Sequence, residues 1–123
     1  MIDSHEKILV VDDEKNVRVL FERVLAKEGY EVECAASGTE AIDKLAKNSF
    51  DLVVTDLKMN GMDGLDLIKR GKSTHQHLPF ILISGYGTAQ TAVSAAQEGA
   101  DVYLMKPIDM AALKTAVKKA LRK

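Results

Sequence analysis

Four short apolar runs, Ile8-Leu9-Val10-Val11, Leu52-Val53-Val54, Phe80-Ile81-Leu82-Ile83 and Val102-Tyr103-Leu104-Met105, are β-branched or bulky and almost uninterrupted. Runs of this length suit strands buried on both faces of a parallel sheet. A fifth segment, Tyr30-Glu31-Val32-Glu33-Cys34, alternates apolar with polar residues, as expected of a strand at a sheet edge. Between the runs the period changes. Val17, Leu20, Phe21, Val24 and Leu25 fall on one side of a helix, with Gly29 as its stop. Ser37 and Glu40 have the spacing of a capping box, opening a helix that buries Ala41, Ile42 and Leu45. A short third helix is expected around Leu65 to Ile68. An alanine-rich fourth runs from about Thr88 to Gln97 with Gly99 as its stop, and a fifth begins near Asp109 with Leu113, Val117 and Leu121 on one face.

The order is βαβαβαβαβα, and with connections this short it predicts a doubly wound α/β domain with parallel pairing and right-handed crossovers. Strand order stays open, because local sequence does not carry it. The 123 residues suit one domain, residues 1–123. A formal charge of −1 gives no general attraction to nucleic acid or to an anionic membrane, so neither is an expected partner of this domain. The lone cysteine, Cys34, excludes an internal disulfide and a cysteine-based zinc site, and fits a reducing, cytoplasmic compartment. Ile8 to Val11 is too short for a signal-peptide core or a membrane span.

In an open parallel sheet, ligands bind beyond the carboxyl ends of the strands. There the sequence places Asp12 and Asp13, then Asp56 within Thr55-Asp56-Leu57-Lys58-Met59, then Ser84, then Lys106. Any one of these aspartates could be a turn former or helix cap. Three together are different: at about 5 Å and an effective dielectric near 20, each pair repels by roughly 3 kcal/mol. A cation relieves that repulsion, and hard, partly hydrated oxygen ligands suit Mg²⁺. Phosphoryl transfer needs an in-line nucleophile, a metal and donors for the equatorial oxygens. Asp56 is the candidate nucleophile, with Lys106 and Ser84 the candidate donors.

Val10-Val11-Asp12-Asp13-Glu14, Val54-Thr55-Asp56-Leu57-Lys58-Met59, Ile83-Ser84-Gly85 and Lys106-Pro107 together closely resemble the receiver domains of two-component response regulators. The resemblance covers essentially the whole chain. Gly85-Tyr86-Gly87-Thr88, the alanine-rich helix, Gly99 and Tyr103 look like the receivers of nitrogen-regulation-type transcriptional activators. It implies a flavodoxin-like fold of five strands ordered 2-1-3-4-5 with five helices. It further implies a phosphoryl group accepted on Asp56 from a sensor histidine kinase, with Asp13, Asp56 and the Lys58 carbonyl on Mg²⁺ and Asp12 acting largely through water. Ser84 and Tyr103 would be switch residues acting on the face of helix 4, strand 5 and helix 5. An output domain or a phosphorylation-dependent dimer would receive the signal. The Lys106-Pro107 peptide would be cis, and Lys58 and Tyr86 would flank the phosphoryl group and set its lifetime.

Two rivals are separable. An aspartate-nucleophile phosphohydrolase typically carries Asp-x-Asp after its first strand and its acidic pair late, whereas here the acidic pair comes first and Asp56 is followed by Leu57-Lys58. A receiver-like binding module that no longer takes phosphate would be expected to lose an acidic, hydroxyl or lysine position, and none is lost. Gly71-Lys72-Ser73-Thr74 imitates the end of a P-loop, but Asp66 stands where its first glycine belongs and no strand leads in, so it reads as a loosened helix end. His75 and His77, on an extended segment without a third ligand, read as surface residues. Met59, Met62 and Met105 read as core or loop packing.

Overall fold

The computed structural model describes residues 6–85 and 89–122. Its elements alternate throughout: β1 Lys7–Val11, α1 Lys15–Lys27, β2 Glu31–Ala35, α2 Gly38–Lys47, β3 Leu52–Asp56, α3 Gly64–Thr74, β4 Phe80–Ser84, α4 Ala89–Glu98, β5 Val102–Met105 and α5 Met110–Leu121. All strand pairs are parallel, in the order β2-β1-β3-β4-β5. The fold is the five-stranded flavodoxin-like one, with the chain crossing back once to place β3 on the far side of β1.

The period of two along each strand divides the core into two layers. Leu9, Val11, Val53, Phe80 and Leu82 point to the side closed by Leu45, Leu67, Ile68 and Ala95. Ile8, Val10, Leu52, Val54, Ile81 and Ile83 point to the other, closed by Phe21, Leu25, Leu113 and Val117. Each such side chain contributes about 1.5–3 kcal/mol when fully buried. Because β1, β3 and β4 are sandwiched, their apolar runs end abruptly at a rim where polar residues meet solvent.

Several expectations need correction. α3 is not short: it runs to Thr74, and Gly71-Lys72-Ser73-Thr74 forms its last turn. A Cβ on Gly71 would lie 2.5 Å from Cζ of the buried Phe80 ring, so the glycine lets the helix approach β4 closely. Packing, rather than helix propensity, carries this end. Leu20 of α1 is 46% exposed instead of buried. Its neighbours Phe21 and Leu25 are the buried residues of this helix, with Val17 packed partly against the same layer. β5 is not buried on both faces; it is the second edge strand, half-buried along its length, and Met105 faces solvent. The segment holding His75 and His77 is a turn, with His75 Nδ1 2.8 Å from Thr74 Oγ1. In the α2 cap Ser37 Oγ accepts from Glu40 N–H, but the Glu40 carboxylate accepts from Ala36, one residue before the cap. Thr88, the expected start of α4, lies outside the described residues. Gly29 and Gly99 do end α1 and α4, both with positive φ.

Candidate functional site

The carboxyl ends of β1, β3, β4 and β5 bring the singled-out residues together. Asp12 follows β1 directly, and its N–H extends the ladder to Ala35 O at 3.1 Å, so the chain is still tied to the sheet where the turn begins. Glu14 N–H donates to Asp12 Oδ1 at 2.8 Å, while Asp13 Oδ2 accepts from Asn60 N–H at 3.3 Å across the gap to the β3–α3 loop. Asp56 is the last residue of β3, with Oδ1 accepting from Leu57 N–H at 3.0 Å. Asp12, Asp13 and Asp56 each present a carboxylate oxygen within 4.8 Å of the others. Asp12 and Asp56 are buried, at 4% and 7% exposure; Asp13 is exposed.

Lys106, just after β5, spans the site from the opposite side. Its Nζ lies 3.3 Å from Asp56 Oδ1 and 3.3 Å from Oδ2, and its own N–H holds Ser84 O at 2.8 Å. The peptide to Pro107 is cis. Burial raises the Asp56 carboxyl above its ordinary pKa, and the Lys106 ammonium opposes that shift. Burial likewise raises Asp12; the Glu14 N–H opposes it and the charge of Asp56 adds to it. One ammonium thus faces three carboxylates, a local excess of negative charge that calls for a further cation.

Ser84 closes β4 at 1% exposure, beside the Asp56 strand end. Tyr103 of β5 packs partly into the layer of Leu82 and Ala95, and its hydroxyl is enclosed with no hydrogen-bond partner among the described residues. Lys58 is exposed on the β3–α3 loop, two residues beyond Asp56. Tyr86 lies outside the described residues. Beside the aspartates, Leu57, Lys58, Asp63 and Leu65 face Gln90, Thr91 and Ser94 of α4 across an open cavity of about 440 Å³.

A family model described as response regulator receiver domain matches residues 8–118. The chain belongs to the receiver domain family. It is 38% identical to Sporulation initiation phosphotransferase F of Bacillus subtilis (strain 168), over 95% of this chain and 94% of that protein. It is also 38% identical to DNA-binding transcriptional regulator NtrC of Escherichia coli (strain K12), over 93% of this chain but 24% of that longer protein. The solved structure of a CheY-like receiver domain protein from Methanospirillum hungatei JF-1 superposes with a TM-score of 0.92 at 32% identity, over 96% of this chain and 94% of that one. The chain therefore spans nearly all of one relative and about a quarter of the other, and its relatives include nitrogen-regulation-type regulators. No helix among the described residues is long and apolar enough to cross a membrane.

Receiver domains generally use Mg²⁺ at this acidic pocket, and the donor set of this receiver fits it. Two oxygens on one Mg²⁺ at about 2.1 Å are at most about 4.2 Å apart. A cluster spanning 4.8 Å reaches that with a small closure, or with one carboxylate acting through water. Two supports of the site were not foreseen from sequence. A Cβ on Gly64, the first residue of α3, would collide with the Asp56 carbonyl and sit 2.7 Å from Leu82 Cδ1, so this glycine lets the helix start directly over the strand end. Arg18 Nη1 donates to the Asp12 carbonyl at 2.8 Å. Gly64 follows a capping aspartate, Asp63, where any small helix former is acceptable, so nothing local marks it as special.

Proposed function

We propose that this receiver is a phosphorylation-dependent switch that takes a phosphoryl group on Asp56 from the phosphohistidine of a sensor kinase. The observation that carries this reading is the three-carboxylate cluster within 4.8 Å with the Lys106 ammonium 3.3 Å from both Asp56 oxygens. An Asp56 oxygen bonds to phosphorus as the phosphorus–nitrogen bond breaks, and the imidazole leaves with the electron pair. Lys106 keeps Asp56 anionic before transfer and then holds a phosphoryl oxygen, with the Ser84 hydroxyl on another. Asp12, Asp13, Asp56 and the Lys58 carbonyl would hold Mg²⁺, which supplies charge balance for the phosphoryl oxygens when bound.

The new group carries close to two negative charges and draws in Ser84, and Tyr103 responds at the α4–β5–α5 face. That face then controls an output domain, a partner or a dimer. Lys58, two residues past Asp56 in sequence, and Tyr86, two past Ser84, would set the lifetime of the phosphoryl group. The setting is cytoplasmic signalling upstream of transcription, as the relation to NtrC suggests.

The test is intact mass after incubation with Mg²⁺ and a small phosphodonor. One phosphate should add to the parent and none to Asp56→Asn, with the amide spectrum of the variant otherwise native. Equal uptake by Asp56→Asn would defeat the assignment.

A further inference from the structure

The carbonyl of Asp12 lies one residue past the end of β1, beyond the strand's own ladder. A backbone acceptor in a buried position needs a partner. Arg18, half-buried on α1, supplies it through Nη1 at 2.8 Å. The same residue is tied to the turn by its main chain, since Arg18 N–H donates to Glu14 O at 3.2 Å. With Asp12 N–H on Ala35 O and Glu14 N–H on Asp12 Oδ1, every polar group of Asp12 that steers the turn has a fixed direction.

The peptide whose carbonyl Arg18 grips is the one joining Asp12 to Asp13. Rotating that peptide would leave Asp12 Oδ1 anchored but swing the Asp13 carboxylate away from Asp56. We infer that Arg18 is a positioning residue: by clamping this peptide it holds Asp13 and Asp12 in register with Asp56 for a divalent cation. The inference rests on the reading of the cluster as a Mg²⁺ site. Arginine suits the task because its planar head donates to a neutral carbonyl while staying charged in a half-buried place.

Charge and geometry predict opposite outcomes here. A guanidinium near the cluster repels an incoming cation, so if Arg18 acted through charge alone, removing it would tighten Mg²⁺ binding. If it acts by positioning, removing it loosens binding. The parent, Arg18→Met and Arg18→Lys are titrated with MgCl₂ by isothermal calorimetry, with amide spectra recorded without metal. Arg18→Met should bind about tenfold more weakly, the scale of lost support behind a metal ligand. Arg18→Lys, which keeps one donor, should recover most of that loss. Amide shifts should stay confined to the β1–α1 turn. Should Arg18→Met fail to fold, Arg18→Gln, too short to reach the carbonyl, takes its place.

Binding by Arg18→Met as tight as, or tighter than, the parent's would overturn the inference, and so would an equal loss in Arg18→Lys. A parent that binds no Mg²⁺ would instead sink the reading of the site itself.

Discussion

Replacing Asp12 by asparagine should make the metal-free protein more stable and reduce the stability that Mg²⁺ adds. Asp12 and Asp56 are both buried, with carboxylate oxygens within 4.8 Å. At that distance and an effective dielectric near 20 their repulsion is about 3.5 kcal/mol. Part is already offset, since Lys106 attracts both groups. Asparagine keeps the oxygen that accepts from Glu14 N–H and nearly the same volume, so no cavity opens. Its amide must find a partner in a buried place, which costs about 1 kcal/mol. The expected net gain is about 1–2 kcal/mol, a rise of roughly 0.7–1.3 M in the urea midpoint for an m-value near 1.5 kcal/mol/M.

The pH dependence follows from the same burial. The Asp12 carboxyl is raised above its ordinary value in the folded protein, so the fold holds this proton more tightly than the unfolded chain does. As pH falls through about 4 the unfolded carboxyl takes up its proton as well, and the difference between parent and variant should shrink. As pH rises through the raised pKa the parent loses stability relative to Asp12→Asn, and the gap is full at neutrality. With Mg²⁺ at about 100 times its Kd the parent gains about 2.7 kcal/mol, and the variant, binding less tightly, gains less, so the gap narrows, and at about 2 kcal/mol it closes fully only where binding weakens by roughly 50-fold. Urea unfolding in EDTA and in Mg²⁺ between about pH 3.5 and 8 checks this. A variant less stable than the parent in EDTA at neutral pH, or a gap that does not change with pH, would refute the reasoning.

Gly64→Ala should slow phosphate uptake and cost about 1–3 kcal/mol, because the new methyl must push the start of α3 off the Asp56 carbonyl; unchanged unfolding and uptake would contradict it. Ser84→Ala should still accept phosphate but shift fewer amide signals of α4, β5 and α5, and a shift pattern identical to the parent's would remove Ser84 from the coupling. Tyr86→Ala should shorten the phosphorylated half-life several-fold, on the order of 1 kcal/mol in the barrier, if the ring bars water from the ester. A half-life equal within error would leave Tyr86 without a role in timing.

The sequence carried the strands and the rim well, and the reason is physical. Buried parallel strands need unbroken apolar runs, and each run stops where a polar residue is wanted, so Asp12, Asp56 and Ser84 mark both the strand ends and the candidate site. Strand order was not local information and came through resemblance alone. What local patterns missed depends on contacts between distant segments. The last turn of α3 looks broken by Gly71 until Phe80, nine residues on, is seen to occupy the missing side chain's space. The exposure of Leu20 and Met105 is a matter of what covers them, which periodicity does not encode. Gly64 and Arg18 act on main-chain carbonyls, and those are the same at every position of a sequence.

The arrangement also bears on where a signal can go. Asp56 and Ser84 end strands that are buried throughout, held by neighbours on both sides, and such strands resist displacement. Lys106 follows β5, an edge strand that is half-buried and ends on the exposed Met105. Were Asp56 esterified as proposed, it would lose the charge that Lys106 pairs with, and the ammonium would turn to the phosphoryl oxygens instead. The strain of that exchange would fall between inner strands buried on both sides and an edge strand held on one, so the proposed switch would displace the edge. β2 is an equally open edge, but Lys106 and Ser84 both lie at the opposite side of the sheet, and nothing in the exchange pulls on it. Tyr103 sits on this edge strand, with a buried hydroxyl that has no hydrogen-bond partner among the described residues. On the proposed reading, the order of the strands would direct the response to the α4–β5–α5 side before any partner is present to select it.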